Sequence, residues 1–145
     1  MISRTHGLTK PALRHPVTHV RAVNFSELQS FASREVDATC AELPPELRSL
    51  AERIPVHFHH LPSTDILGEE FEPDILGLFV GPPYGANTGD TNDVPSQILL
   101  FLGNIWEYAE GDREAFTAEV HITFLHELGH YFGWDEDDLA ARDLD

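Results

Sequence analysis

The sequence predicts a single α+β domain with a small sheet, and three observations support this fold class. Helix-like segments, then strand-like segments, then helix-like segments follow one another in runs, without the alternation of strand and helix that builds a parallel sheet. The connections between the strand candidates are too short for parallel crossovers, except through one middle loop. The chain has 145 residues, of which 41% are apolar, and this suits one globular domain.

A basic segment, residues 1–23, precedes the predicted domain at residues 24–145. Residues 1–24 contain four basic and no acidic side chains, whereas the rest of the chain contains five basic and 25 acidic ones. This composition, with Pro11 and Pro16, predicts a flexible basic N-terminal arm. The chain has a net charge of −16, and an acidic domain repels the phosphate groups of nucleic acid. Nucleic acid is therefore not an expected partner.

The composition also limits where the protein acts and how it can hold a metal. No apolar run approaches the roughly 20 residues that cross a bilayer, and no secretory signal is recognisable, so a cytoplasmic location without a membrane partner is expected. Cys40 is the only cysteine, which excludes an intrachain disulfide framework and a thiolate zinc cluster. Any metal must therefore be held by His, Asp or Glu.

The domain begins with two predicted helices. From about Phe25 to Glu42, apolar residues recur at three- and four-residue steps, which is the period of an amphipathic helix. Asn24 is the expected N-cap, with Glu27 as its partner three residues later. The stretch "PPELRSLAERI" predicts a short second helix. Its prolines suit the first turn of a helix, where the backbone N–H groups have no hydrogen-bond partner within the helix.

Three strands are predicted next. "PVHFHHL" alternates apolar residues with histidines, "DILGLFVG" is a short apolar run, and "QILLFLG" is another. A loop from Pro62 to Pro73 separates the first two strands, and the turn-rich stretch "PPYGANTGDTNDVPS" separates the last two.

The remaining chain is predicted to be helical. "NIWEYA" and "DEDDLAARDL" flank a long helix from about Asp112 to Phe132. An apolar stripe at four-residue steps gives the long helix its core face. His126 lies about 200° round the axis from Leu128 of this stripe, so the helix is expected to present its histidines away from the core. The residues of the stripe are Phe116, Val120, Phe124 and Leu128.

The stretch "HELGHYFGWDED", residues 126–137, contains the clearest chemical motif. His126 and His130 are four residues apart, so on a helix they point the same way one turn apart and can bind one ion. Glu127 is displaced from them and can accept a proton from a water that zinc activates. The spacing predicts a zinc site with Glu127 as general base. The alternative is that both histidines are satisfied core side chains or face solvent.

Together these segments resemble the small single-domain bacterial zincin-like metallopeptidases, from about Phe25 to Leu139. The similar stretches are "LPPELRSLAERIPVHFHHLPS", "ILGLFVGPP", "QILLFLGNI" and, most specifically, "ITFLHELGHYFGWDEDDL". The resemblance implies a compact zincin-like domain whose small sheet packs beside the HExxH helix, with an acidic third metal ligand. Metzincins also have a methionine beneath the metal, whereas the only methionine here is Met1.

A third protein ligand is expected, because catalytic zinc usually takes three. Only 15 residues follow His130, too few for a ligand on a distant downstream helix. The tight-turn branch of the zincins places the ligand six residues after the second histidine, past a glycine that here is Gly133. That residue is Glu136, which the resemblance implies as the third metal ligand. The alternatives are Asp135, Asp137, Asp138, and an acidic helix start that supplies no ligand at all.

Other side chains are weaker candidates for the site. Thr123, one turn before Glu127, is positioned to orient its carboxylate. His121 or Tyr131 is a candidate donor to an oxyanion. His57 and His59 share one side of a strand and form a second candidate metal site, although such residues are more often half-exposed strand side chains.

These observations together predict a zinc-dependent metallopeptidase with Zn²⁺ as cofactor and a peptide or protein as substrate. An extended peptide is expected to add to the sheet along residues 97–102. The alternative function is a metal-binding interaction module that retains a zincin site with inefficient turnover. A third alternative is a motif that binds nothing.

Overall fold

The computed structural model describes residues 2–4, 23–68, 70–85, 95–134 and 136–141. Within these residues the α+β class is confirmed. The strands are β1 (Ile2–Arg4), β2 (Val56–His59), β3 (Gly77–Val80) and β4 (Gln97–Phe101). The helices are α1 (Phe25–Ala41), α2 (Pro45–Ala51), α3 (Thr64–Leu67), α4 (Leu102–Tyr108), α5 (Arg113–Tyr131) and α6 (Glu136–Ala141).

The predicted helices form close to their expected bounds. Asn24 caps α1, since its side-chain oxygen accepts a hydrogen bond from the Glu27 backbone N–H at 2.8 Å. The short helix α3 lies inside the stretch predicted as a loop from Pro62 to Pro73, and Ser63 caps it. One turn of helix is too short to produce an apolar period, so the sequence pattern does not reveal it.

The sheet has four strands in the order β1-β3-β4-β2. β3 pairs antiparallel with β4 and with β1, whereas β2 pairs parallel with β4. The three predicted strands are confirmed, and β1 is an additional strand within the segment predicted as a flexible arm. Residues 5–22 of that segment lie outside the described residues, so the division at residue 23 stays a prediction.

The position of β4 overturns one expectation. β4 pairs with β3 on one side and with β2 on the other, so its backbone groups already have partners in the sheet. The prediction that a peptide adds along residues 97–102 is therefore wrong. The "QILLF" run is apolar without alternation because β4 is a central strand buried on both faces.

The main core lies between the helices and one face of the sheet. α5 packs against α1 and α4 and also against β1, β3 and β4. The predicted stripe on α5 is confirmed, since Phe116, Val120, Phe124 and Leu128 are fully buried. Burial of each such side chain contributes about 1.5–3 kcal/mol, so the stripe determines how α5 is rotated about its axis.

A second, smaller apolar cluster covers the opposite face of the sheet. Ile75, Leu78, Leu99 and Phe101 form it, and partly buried residues of α3 and the following loop pack against it. The sheet is therefore covered on both faces. Among the described residues, no helix combines the length and apolar character that crossing a membrane requires.

Candidate metal centre

The histidines of the HExxH motif lie on the last turns of α5. Asp112 caps the start of this helix, since its side chain accepts a hydrogen bond from the Ala115 N–H at 2.8 Å. The buried stripe then directs His126 and His130 to another side of the helix. That side is buried too, because α5 lies against the sheet as well as against α1 and α4. His126 and His130 are 4% and 3% exposed, so the expected orientation away from the stripe does not bring them to the surface.

The two imidazoles converge on one point. Their Nε2 atoms lie 3.2 Å apart, with ring centroids 4.8 Å apart and ring planes at 80°. Two nitrogen ligands of a tetrahedral zinc, each at 2.0–2.1 Å from the ion, would be about 3.3 Å apart. Two unprotonated ring nitrogens at this distance repel each other unless a cation or a shared proton lies between them. The pair therefore fits a zinc ion.

A backbone contact sets the protonation of one imidazole. Nδ1 of His130 lies 3.1 Å from the backbone carbonyl oxygen of Trp134. A carbonyl oxygen only accepts hydrogen bonds, so Nδ1–H is the donor, and in the neutral imidazole Nε2 then carries the lone pair. This is the tautomer that a metal ligand requires, with its orientation held by the second ring nitrogen.

The turn that places the Trp134 carbonyl is a Schellman motif. The Trp134 N–H donates to the Gly129 carbonyl at 2.9 Å, and the Gly133 N–H donates to the His130 carbonyl at 3.0 Å. Gly133 has φ +92°, in the left-handed region that favours glycine. Gly133 therefore turns the chain at the end of the helix, and the same turn holds His130 in position.

Glu127 is also completely buried. It follows His126 directly and lies on the same turn of α5 as both imidazoles. A carboxylate at this depth is stable as an anion only near positive charge or several hydrogen-bond donors. A cation bound between His126 and His130 would supply such charge, so the donor set of this turn is chemically consistent with a divalent metal.

The fold and this turn agree with a comparison against protein families. The model of the family described as zincin-like metallopeptidase matches residues 51–145, about two thirds of the chain. The chain belongs to the zincin-like metallopeptidase family. The match covers β2 to β4 and α5 with its HExxH motif, so the resemblance seen in the sequence is confirmed. No curated protein matches the chain.

The third ligand of this zincin-like protein stays a prediction. Glu136 is the first residue of α6, but its side chain and Asp135 lie outside what the structure describes. Asp137 is exposed and Asp138 is half-buried. Within the described residues, no group of three or more His, Cys, Asp or Glu side chains is placed to hold a metal.

Alanine substitutions in the acidic cluster test the third ligand. Glu136→Ala should weaken zinc binding by at least about 100-fold, because loss of a direct ligand should cost more than the 10- to 100-fold that follows the loss of a group orienting a ligand. The controls are Asp135→Ala, Asp137→Ala and Asp138→Ala, which remove the same charge nearby. Zinc titration with a competing chelator measures all four. Equal effects in the four variants, or the largest effect at Asp137, would show that the tight-turn spacing does not apply.

The turn at Gly133 can be tested separately from the ligands. Gly133→Val should destabilise the fold by about 1–3 kcal/mol, because a β-branched residue is strained at positive φ. It should also weaken zinc binding by about 10- to 100-fold, because the Trp134 carbonyl no longer orients His130. Gly133→Asn is the matched control, since Asn tolerates this conformation better. Thermal unfolding and zinc titration check both variants. Identical behaviour of the Val and Asn variants would contradict this role of the turn.

One glycine that the sequence analysis did not select brings β3 close to α5. A Cβ atom on Gly77 would lie 2.7 Å from Cγ2 of Thr123, closer than atoms tolerate. Its sequence signal is a glycine inside a strand, which often marks the close approach of another element. Thr123 is buried and its hydroxyl lies 3.4 Å from a carboxylate oxygen of Glu119. The suggested role of Thr123 in orienting Glu127 stays a prediction.

The other candidate histidines lie elsewhere. Nδ1 of His121 is 2.8 Å from the Thr39 hydroxyl and 3.5 Å from a carboxylate oxygen of Glu35, so His121 connects α5 to α1. This contact accounts for His121 without a role at an oxyanion. His57 and His59 are both exposed on β2, as half-buried strand patterning predicts.

Two further side chains take structural positions. The Tyr131 ring packs against Phe79, with centroids 6.0 Å apart. Cys40 is half-buried on α1, and burial raises the pKa of its thiol, with Asp37 and Glu52 adding to the shift. A thiol with a raised pKa carries little thiolate at neutral pH and is a poor metal ligand.

Proposed function

We propose that this zincin-like metallopeptidase is a zinc-dependent peptide-bond hydrolase with Glu127 as its general base. The observation that carries the proposal is the pair of Nε2 atoms 3.2 Å apart, one of them with its tautomer set by the Trp134 carbonyl. His126 and His130 would hold the ion, and Glu136 would complete the protein ligands. Zinc, when bound, supplies a Lewis acid that activates water and polarises a carbonyl.

The role of Glu127 follows from its place on the helix. It shares a turn with both imidazoles but is offset from the direction that His126 and His130 share, so it need not be a ligand. In this role its carboxylate would accept the proton of the attacking water and would pass that proton to the leaving amine. Because it is buried, its proton exchange with bulk solvent is restricted, which favours delivery to the departing nitrogen.

Cleavage of a peptide library tests the proposal. Protein reconstituted with one equivalent of zinc should cleave library peptides, and treatment with a chelator followed by zinc readdition should remove and restore the activity. Mass spectrometry of the products identifies the bonds that are cleaved. Cleavage that persists after complete removal of the metal would contradict a zinc-dependent reaction.

One observation favours the alternative function, a metal-binding interaction module with inefficient turnover. His126 and His130 are nearly inaccessible to solvent, so a substrate carbonyl cannot reach them without some movement. A groove of about 490 Å³ is lined mainly by residues of α1, α2 and β2, together with Phe124 of α5, and contains neither His126 nor His130 in its lining. Stoichiometric zinc binding combined with no cleavage of any library peptide would support this alternative.

A further inference from the structure

Strand β1 occupies one outer edge of the sheet. Its register pairs Ile2 with Phe79 and Arg4 with Gly77, antiparallel to β3. On its other side, β3 pairs antiparallel with β4. Any other strand that pairs with the outer edge of β3 would therefore need the place that β1 occupies.

The β3 edge runs beside the turns of α5 that carry the HExxH motif. Gly77 lies against Thr123, which is on the turn before the motif. A Cβ atom added to Gly77 would lie only 2.7 Å from Cγ2 of Thr123. Phe79 lies against Tyr131, directly after the motif. β1 itself also lies next to α5. β3 thus passes alongside residues 123–131, which include both histidines and the glutamate.

The opposite edge of the sheet lies farther away. β2 forms that edge, and β4 separates it from β3. A peptide that pairs with the outer edge of β2 would therefore lie four strand positions from the one that β1 occupies, roughly 19 Å at the usual strand spacing. The β3 edge is the one from which a paired peptide lies beside the histidines.

We propose that β1 is an internal inhibitor of the site, because it occupies the outer edge of β3. An extended peptide that pairs with this edge to lie beside the histidines must displace β1. This rests on the peptidase function proposed above. Strand pairing uses backbone N–H and C=O groups, so β1 and an incoming peptide compete for the same groups whatever their sequences. The part of β1 that the structure describes is three residues long, so a longer peptide can replace this pairing and extend beyond it.

Charge supports β1 as the internal inhibitor. Residues 1–24, which include β1, carry four basic and no acidic side chains, whereas the remainder carries five basic and 25 acidic ones. Opposite net charges attract the segment to the body at low ionic strength. Pairing within one chain also gives β1 an effective concentration that a free peptide has to exceed.

The test removes the backbone donors of β1 in the full chain. In one variant Ile2, Ser3 and Arg4 are all replaced by proline, which has no N–H and disrupts strand pairing. In the matched control the same residues become threonine, which keeps every N–H and favours strands. Both carry Glu127→Gln, so that no peptide is hydrolysed. The probe is a fluorescent synthetic peptide with the sequence of residues 1–10, and its binding is followed by anisotropy.

The proline variant should bind the probe at least about tenfold more tightly than the threonine variant or the chain with unaltered β1. Hydrogen exchange at the β3 amides that face β1 should also be faster in the proline variant without the probe, and should slow when the probe binds. Equal probe affinity in the proline and threonine variants would overturn the proposal.

Single substitutions keep the test informative if the triple proline variant is poorly folded. Alternate residues of an antiparallel strand direct their N–H groups to the partner. Only one of the two residues Ile2 and Ser3 therefore directs its N–H group toward β3. Of Ser3→Pro and Ile2→Pro, only the variant that removes this N–H should increase probe binding. Equal increases in both would indicate general destabilisation and would overturn the proposal.

The outcome also separates this proposal from the peptidase function. If the proline variant gains probe affinity but the zinc-loaded chain with Glu127 intact cleaves no library peptide, the role of β1 is supported and the peptidase function fails. If the zinc-loaded chain cleaves peptides but the proline variant gains no affinity, the peptidase function stands and the role of β1 fails.

Discussion

Replacing His126 by alanine is expected to remove most of the zinc that the protein binds. Purified wild-type protein should hold about one equivalent, because two imidazoles and a carboxylate are a typical zinc ligand set. Loss of a group that orients a metal ligand typically costs 10- to 100-fold in metal affinity, so loss of a direct ligand should cost at least about 100-fold. His130→Ala should behave in the same way. Metal analysis after dialysis and titration against a chelator measure both variants.

His121→Ala is the matched control for both histidine variants. His121 lies on the same helix, but its ring contacts Thr39 and Glu35 of α1. Its removal should lower stability modestly, by about 1 kcal/mol for the lost hydrogen bond, and leave zinc content unchanged. Circular dichroism establishes that all three variants are folded. Unchanged zinc binding in both His126→Ala and His130→Ala would rule out the assigned ligands.

Glu127→Gln is expected to abolish most hydrolysis while leaving zinc bound. The amide keeps the shape of the side chain but cannot accept the proton of the attacking water. The loss should be at least about 100-fold in kcat, as is usual when a general base is removed. Zinc content should stay near that of the wild type, because Glu127 is not assigned as a ligand.

Glu114→Gln provides the control for the same chemical change. Glu114 is an exposed residue in the first turn of α5, far along the helix from the histidines, and its substitution should change neither zinc content nor rate. Cleavage rates and metal content are measured on the same preparations. Hydrolysis that persists in Glu127→Gln would mean that the activity has another mechanism or comes from a contaminant.

The helices and central strands could be predicted because their signals are local and repeated. The four-step stripe from Phe116 to Leu128 determines both the existence of α5 and the face that it buries. Asn24 and Gly133 mark helix ends through side-chain and backbone chemistry that acts within a few residues. His126, Glu127 and His130 share one turn of helix, so their proximity also follows from local spacing.

The remaining features depend on contacts that are distant in sequence. β1 has three residues, too few to show alternation, and its pairing with β3 spans more than 70 positions of the chain. The unbroken apolar run of β4 indicates a strand that is buried on both faces, but it does not indicate which strands pair with β4 on either side. The burial of His126 and His130 likewise depends on how α5 meets the sheet. The third ligand depends on the direction of the chain after Gly133, where local spacing is ambiguous among four acidic residues.

A crystal structure of the zinc-loaded protein, with anomalous diffraction recorded at the zinc edge, tests the central claim most directly. We predict one strong anomalous peak about 2.0–2.1 Å from Nε2 of both His126 and His130, with a carboxylate oxygen of Glu136 as the third protein ligand. Glu127 should lie beside the ion without binding it. A peak only at His57 and His59, or no peak between His126 and His130 at full zinc occupancy, would contradict the assignment.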